Sequence, residues 1–184
     1  MKILVHVCCG PCFVYPYQAL SEDGHEIFGF FFNPNIHPYQ EYQRRLETVR
    51  NWSKEQGIRM IYRDEYRLED FLRGVVYRES ERCLFCYHTR LEAAAQTAAR
   101  GKFDCFTTTL LYSKFQKHET ITRIGHEVGH QYGVQFYYQD FREGWKEGIS
   151  LSKTWGLYRQ QYCGCIYSEK DRYWRHQTMK MSES

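Results

Sequence analysis

The chain has 184 residues, 42% of them apolar and 26% charged, and carries a formal net charge of +3. That length suits one compact domain with its own core and is too short for two, and the ordinary balance of apolar and charged residues excludes an extended disordered protein. No stretch is long and apolar enough to span a bilayer, and the opening KILVHV is too short for the apolar part of a secretory signal, so no membrane is expected and the expected compartment is the cytoplasm.

Lys2–Val7 reads as a buried first strand, and Pro11 suits the first turn of a helix running to about Leu20. Glu26–Phe32 is a second strand, ended by NPNIHP. Helical spacing over Tyr39–Gln56 stops at Gly57, IRMIYR is a third short strand, and Leu68–Gly74 is a short helix. Cys83–Arg100 forms a long, Ala-rich helix closed by Gly101. FDCFTTTL is the fourth strand, Thr120–Tyr132 a helix, VQFYYQD the fifth strand, and the remainder loop and helix. This alternation predicts a doubly wound, mostly parallel five-stranded α/β sheet, a single domain over residues 1–178 with a polar tail at 179–184. Sites in such sheets lie beyond the carboxyl ends of the strands, near a switch in strand order. That rule gathers Cys8–Cys12, Asn33, Thr107–Thr109 and Asp140 around one crevice.

Seven of the eight cysteines fall in three tight groups; Cys105, alone in an apolar strand, reads as a core residue. Cys9-Gly10-Pro11-Cys12 spells a thiol–disulfide exchange signature where a strand meets a helix. Little chain precedes it, however, and no Trp stands before it. Cys83 and Cys86 share one face of a helix start, where thiolates are favoured over thiols. Cys8 and Cys9 would face opposite ways in an extended strand, but Gly10 lets the backbone turn and aim both at a common centre. Cys8, Cys9, Cys83 and Cys86 then make a four-thiolate set that suits either tetrahedral zinc or an iron–sulfur cluster. The adjacent pair departs from the paired C-x-x-C knuckles of structural zinc. Cys12 is the spare ligand nearest this set. A bridge between Cys163 and Cys165, one Gly apart, would close a strained, easily reduced ring; further metal ligation is the alternative.

His126-Glu127-Val128-Gly129-His130 matches the H-E-x-x-H zinc-protease helix. Only Glu143 and Glu147 are near as a third ligand, and Gly129 loosens the helix, so a solvated helix face is the simpler account. Sixteen tyrosines either fill the fold or stack on unpaired bases. Lys114 and Lys117 follow a strand end beside the crevice. Arg44, Arg45 and Arg50 on one helix form a second basic stripe or a solvated surface.

Five blocks occur in order: H-x-C-C-G-P-C from His6, C-x-x-C at Cys83, TTTLLYSKFQKHETI, FYYQDFREGW and SKTWGLYRQQYCGCIYS. From His6 to about Ser168 they resemble the cobalamin-independent epoxyqueuosine reductase family, the QueH type. The resemblance implies reductive removal of the epoxide oxygen of epoxyqueuosine in a tRNA anticodon loop, giving queuosine. It implies a [4Fe-4S] cluster on Cys8, Cys9, Cys83 and Cys86, and Cys163 and Cys165 as a redox-active pair. It also implies a nucleotide-hydrolase-like fold, the class that includes the PP-loop ATP pyrophosphatases. Cysteines replace the phosphate loop of those enzymes here, so neither ATP nor cobalamin is expected. An electron donor and tRNA are the expected partners, with Lys114, Lys117, Arg142 and Arg159 on the RNA. An additional iron, with Cys12 as ligand and Asp140 assisting, is expected to hold the epoxide oxygen as a Lewis acid. Tyr158, Tyr162 and His6 are candidate proton donors. The rivals are an inactive zinc-stapled nucleic-acid or protein-binding module and a thioredoxin-like thiol–disulfide oxidoreductase.

Overall fold

Ile3, Leu4 and Val5 are wholly buried in strand β1 (Lys2–His6), the near-continuous apolar run that a central parallel strand requires. The fold is that of a computed structural model, which describes residues 1–182 and their side chains through Trp174. Strands β2 (Glu26–Phe31), β3 (Arg59–Tyr62), β4 (Cys105–Thr108) and β5 (Gln135–Phe136) complete one sheet in the order β3-β2-β1-β4-β5. Every pairing is parallel. The sheet is therefore all-parallel and doubly wound, and the thioredoxin-like alternative, which needs a mixed sheet, does not fit it.

Helices α1 (Gly10–Glu22) and α2 (Tyr39–Glu55) follow β1 and β2; α4 (Arg82–Arg100) and α5 (His118–Tyr132) flank β4 in sequence. Right-handed crossovers place the first two on one face of the sheet and the other two on the opposite face. The short α3 (Leu68–Val75) precedes α4 and packs on it, and α6 (Trp145–Thr154) packs along α1. Gly133 closes α5 with φ +66°, the left-handed conformation that a glycine adopts without a Cβ penalty. The last helix, α7, runs Ile166–Ser182, so residues 179–182 of the expected tail are helical; the expectation for residues 183–184 lies outside the described residues.

The fifth strand is much shorter than its alternating sequence predicts. Its partner gives out first: Thr108 Oγ1 accepts a bond from the Leu110 N–H and turns the chain into a 3-10 turn at Thr109–Leu111. One more ladder bond forms, from the Tyr137 N–H to the Phe106 carbonyl, before the chain leaves the sheet. Asp140 then caps a 3-10 turn at Phe141–Gly144 instead of ending a strand.

Candidate metal centre

β1 and β4 lie side by side, and the helices that follow them leave toward opposite faces, so their carboxyl ends open a crevice. His6 and Thr108 are register partners there. His6 Nε2 donates to the Phe32 carbonyl at 3.2 Å, since a carbonyl can only accept; Nδ1 is therefore the acceptor and takes the Thr108 hydroxyl at 2.9 Å. Beyond this latch, the Cys8 N–H donates to Thr109 Oγ1 at 3.1 Å, and the Thr109 hydroxyl lies 3.2 Å from Cys8 Sγ.

The sulfurs of Cys8, Cys9 and Cys12 all lie within 4.8 Å of one another. Cys9 is extended and occupies the cap position of α1, so Cys12 falls three residues on. The entry into the helix brings the two sulfurs together, with no side-chain cap bond between these positions. Cys12, expected as the spare ligand nearest Cys8 and Cys9, lies in one group with them.

Hydrogen bonds from the Cys12 and Cys9 thiols hold the Cys8 thiol well below its ordinary value, against burial, and Thr109 adds a third donor. Burial pushes Cys9 up, and its bond to Cys8 pushes Cys12 up. Negative charge in the group is therefore favoured on Cys8, with Cys9 and Cys12 as its hydrogen-bond donors. Gln160 adds an amide N–H at 3.0 Å from Cys9 Sγ.

Cys83 and Cys86 stand on the first turns of α4, outside this tight group. What links the two sets is Arg90, 2% exposed, whose Nη2 donates to Cys86 Sγ at 2.9 Å and whose Nε donates to the Cys86 carbonyl at 3.2 Å. Burial works against its charge, and the sulfurs of Cys86, Cys163 and Cys8 outweigh that effect. Among the described residues no carboxylate pairs with it. A buried guanidinium whose counter-charges are sulfurs fits an anionic metal–thiolate centre. Burial, opposed by Arg90 and reinforced by the neighbouring Cys163, Cys165 and Cys83, raises the Cys86 thiol to about 12, a cost that metal ligation relieves.

Cys163 and Cys165 are free thiols that face different surroundings. Cys163 is exposed and takes the Gln116 amide at 3.2 Å, while Cys165 is buried with Phe71, Val75 and Cys86. Gly164 between them has φ +155°, and a Cβ there would stand 3.1 Å from Asn35 Nδ2, so the turn admits only glycine comfortably. Arg45 holds this loop from below. It is buried, not on a basic surface stripe: Nε pairs with Glu41 at 2.7 Å, and its other nitrogens donate to the carbonyls of Cys163 and Tyr162 at 2.8 and 3.0 Å. Tyr158 closes the clamp on Glu41 at 2.5 Å. Of the other two arginines of the expected stripe, Arg50 pairs with Asp64 and Arg44 lies over the Tyr158 ring.

A cavity of about 710 Å³ opens over the sulfurs, with Cys8, Cys12, Arg90, Arg159, Tyr162 and Cys163 in its wall. Tyr162 is the one proton-donor candidate that lines it, and its hydroxyl is engaged with the His37 carbonyl at 2.6 Å. Lys114, Lys117, Asp140 and Arg142 are not part of the wall. Lys114 and Lys117 are exposed on the turn that carries two residues which are, Phe115 and Gln116. Asp140 is bound to Arg142, with Oδ2 2.6 Å from Nη2, and hydrogen bonds from Arg142 hold its carboxyl down to about 2. It organises the turn after β5 rather than reaching the sulfurs. On α5, His126, Glu127 and His130 are exposed, Glu127 pairs with Arg123 at 2.6 Å, and the His126 ring meets Phe136 edge-on. The H-E-x-x-H match is thus a solvated helix face.

No helix among the described residues is long and apolar enough to cross a membrane. The family model described as "Epoxyqueuosine reductase QueH" matches residues 3–171. Curated relatives of that name include one from Dehalococcoides mccartyi, 36% identical over 172 residues and covering 94% of each chain. Another, from Thermotoga maritima, is 35% identical and covers 95% of this chain and 93% of its own. Among solved structures, a predicted subunit of tRNA methyltransferase from Methanocaldococcus jannaschii superposes with a TM-score of 0.51 at 15% identity, over 83% of this chain and 76% of that one. That likeness is one of fold. With the family model spanning residues 3–171 and relatives above 30% identity over 94–95% of it, the chain belongs to the epoxyqueuosine reductase QueH family.

Proposed function

We propose that this protein is an epoxyqueuosine reductase acting on the tRNA anticodon loop, in the cytoplasm. Two electrons and two protons enter, both C–O bonds of the epoxide break, the C=C bond of queuosine forms, and the oxygen leaves as water. The observation that carries this reading is the buried sulfur group of Cys8, Cys9 and Cys12, in a chain of this family, under a cavity that Cys163 also lines.

In this reading Cys8, Cys9, Cys83 and Cys86 hold a [4Fe-4S] cluster, and Cys12 adds a ligand for an adjoining iron. Bound there, these groups would supply electrons singly and a Lewis acid for the epoxide oxygen. Arg90 offsets the negative charge of the sulfurs, Thr109 and Gln160 donate hydrogen bonds to them, and the Arg45 clamp fixes the loop that carries Cys163. Cys163 and Cys165 relay reducing equivalents from an external electron donor. Arg159 in the cavity wall and Lys114 and Lys117 at its mouth contact the RNA, and Asp140 acts by fixing Arg142.

The test is anaerobic reconstitution with iron and sulfide, followed by assay on tRNA bearing epoxyqueuosine. Brown protein that yields queuosine is the expected result. A colourless protein that retains zinc and leaves the tRNA unchanged would establish the zinc-stapled rival. Cys163→Ser should keep the visible spectrum and lose turnover; loss of the spectrum would make Cys163 a ligand instead.

A further inference from the structure

We infer that Phe115 is a stacking platform at the mouth of the cysteine-lined cavity, and that it grips the nucleobase adjoining the modified one. The inference rests on the proposed function and adds a contact for the part of the RNA that does not react.

Phe115 is 85% exposed. It is nevertheless held in place. Its N–H bonds the Ser113 hydroxyl at 3.3 Å, and the Gln116 N–H bonds the Ser113 carbonyl at 3.3 Å, so Ser113–Gln116 is a closed turn. The ring packs edge-on against Trp145 at 5.8 Å, and Trp145 in turn lies 5.1 Å from Tyr112. Tyr112 is buried and anchors the row by donating its hydroxyl to the Trp145 carbonyl at 3.1 Å. The row runs from solvent to core and leaves one face of the outermost ring bare.

Depth decides which base meets that face. Cys12 is buried in the cavity and Phe115 stands at its rim, so a nucleoside whose epoxide approaches the sulfurs lies inside, and the rim meets what remains outside. Lys114 and Lys117 flank the ring on the same turn, and Arg159 and Arg172 line the opening. An aromatic face set among cations matches the way proteins hold unpaired bases, by stacking on the ring while neighbouring phosphates meet positive charge. A duplex, whose bases are already stacked, could not use such a face.

The experiment measures binding of reconstituted protein to an anticodon stem-loop carrying epoxyqueuosine, with 2-aminopurine placed on either side of the modified nucleoside. Wild-type protein should alter the 2-aminopurine fluorescence at one of those positions. Phe115→Ala should abolish that change and weaken binding about 5- to 150-fold, the range one stacked base contributes, with the cluster spectrum intact. Phe115→Trp should restore both signals, and Phe115→Leu neither. Unchanged binding in Phe115→Ala, or full rescue by leucine, would overturn the platform while leaving the reductase reading in place. The second result would mark the contact as one of apolar bulk alone, with no aromatic stacking. Wild-type protein that neither binds the stem-loop nor reduces it would overturn the reductase reading and the platform together.

Discussion

At neutral pH the His6 imidazole carries no charge: burial, aided by the positive Arg90, brings its pKa down to about 4. Both ring nitrogens are committed to the Phe32 carbonyl and the Thr108 hydroxyl, so His6 latches the ends of β1, β2 and β4 and holds the base of the sulfur loop. This removes it from the proton donors its position in the motif suggested. The latch has a measurable consequence for stability. Between about pH 6.5 and pH 4 the unfolded chain binds a proton at His6 that the folded chain refuses, so stability falls as pH falls through that window. His6 alone should cost about 2 kcal/mol between pH 7 and pH 5. His37, likewise lowered to about 4 by burial, acts in the same direction. Urea unfolding of the metal-free protein at several pH values measures the slope; equal stability at pH 7 and pH 5 would mean the imidazole does not stay neutral.

Among the elements, the sheet and its helices were readable in advance because their apolar spacing is regular, and the crevice followed from the rule for parallel sheets. What sequence could not supply was the partner of each polar side chain. Arg45 sits in a helix rich in charge and reads as surface, yet it is buried because it satisfies two carbonyls of a loop more than a hundred residues away. Arg90, midway along an Ala-rich helix, carries no motif; only the fold brings sulfurs to it. Cys12 is legible as a ligand from its place three residues after Cys9; the closeness of the three sulfurs is not, because it depends on how the chain enters α1. The fifth strand was overestimated because its length depends on where β4 stops. The Arg45 clamp gives an element-scale test. Arg45→Met leaves Glu41 buried without its partner, which should destabilise the protein by roughly 3–5 kcal/mol, and Glu41→Gln in the same chain should recover part of that. Freed from its two carbonyl anchors, the Cys163 loop should also react faster with a thiol reagent in Arg45→Met than in the parent protein. Unchanged stability and unchanged Cys163 reactivity would show that the loop is held by other contacts.

For the whole molecule, a net charge of +3 is too small to hold RNA if spread evenly, so distribution decides. Lys114, Lys117, Arg159 and Arg172 stand at or around one opening, whereas Arg50, Arg59 and Arg123 are each neutralised by a carboxylate elsewhere on the surface. Binding is thus expected to be local and electrostatic at its rim, with the buried floor reserved for chemistry. If four phosphates of a single-stranded loop meet these four cations, the logarithm of affinity should fall with the logarithm of salt at a slope of about −3. Between 50 and 200 mM salt that amounts to roughly a fifty-fold loss. Lys114→Ala and Lys117→Ala should each flatten the slope by about 0.7, and reversal to glutamate should weaken binding further. Lys102→Ala, exposed before the amino end of β4, at the opposite end of the sheet from the opening and absent from the cavity wall, should leave the slope as it is. Anticodon stem-loop binding measured across that salt range tests the arrangement as a whole. A slope near zero, or one that Lys102→Ala changes as much as Lys114→Ala does, would move the RNA off this opening and separate the sulfur site from the surface that recognises its substrate.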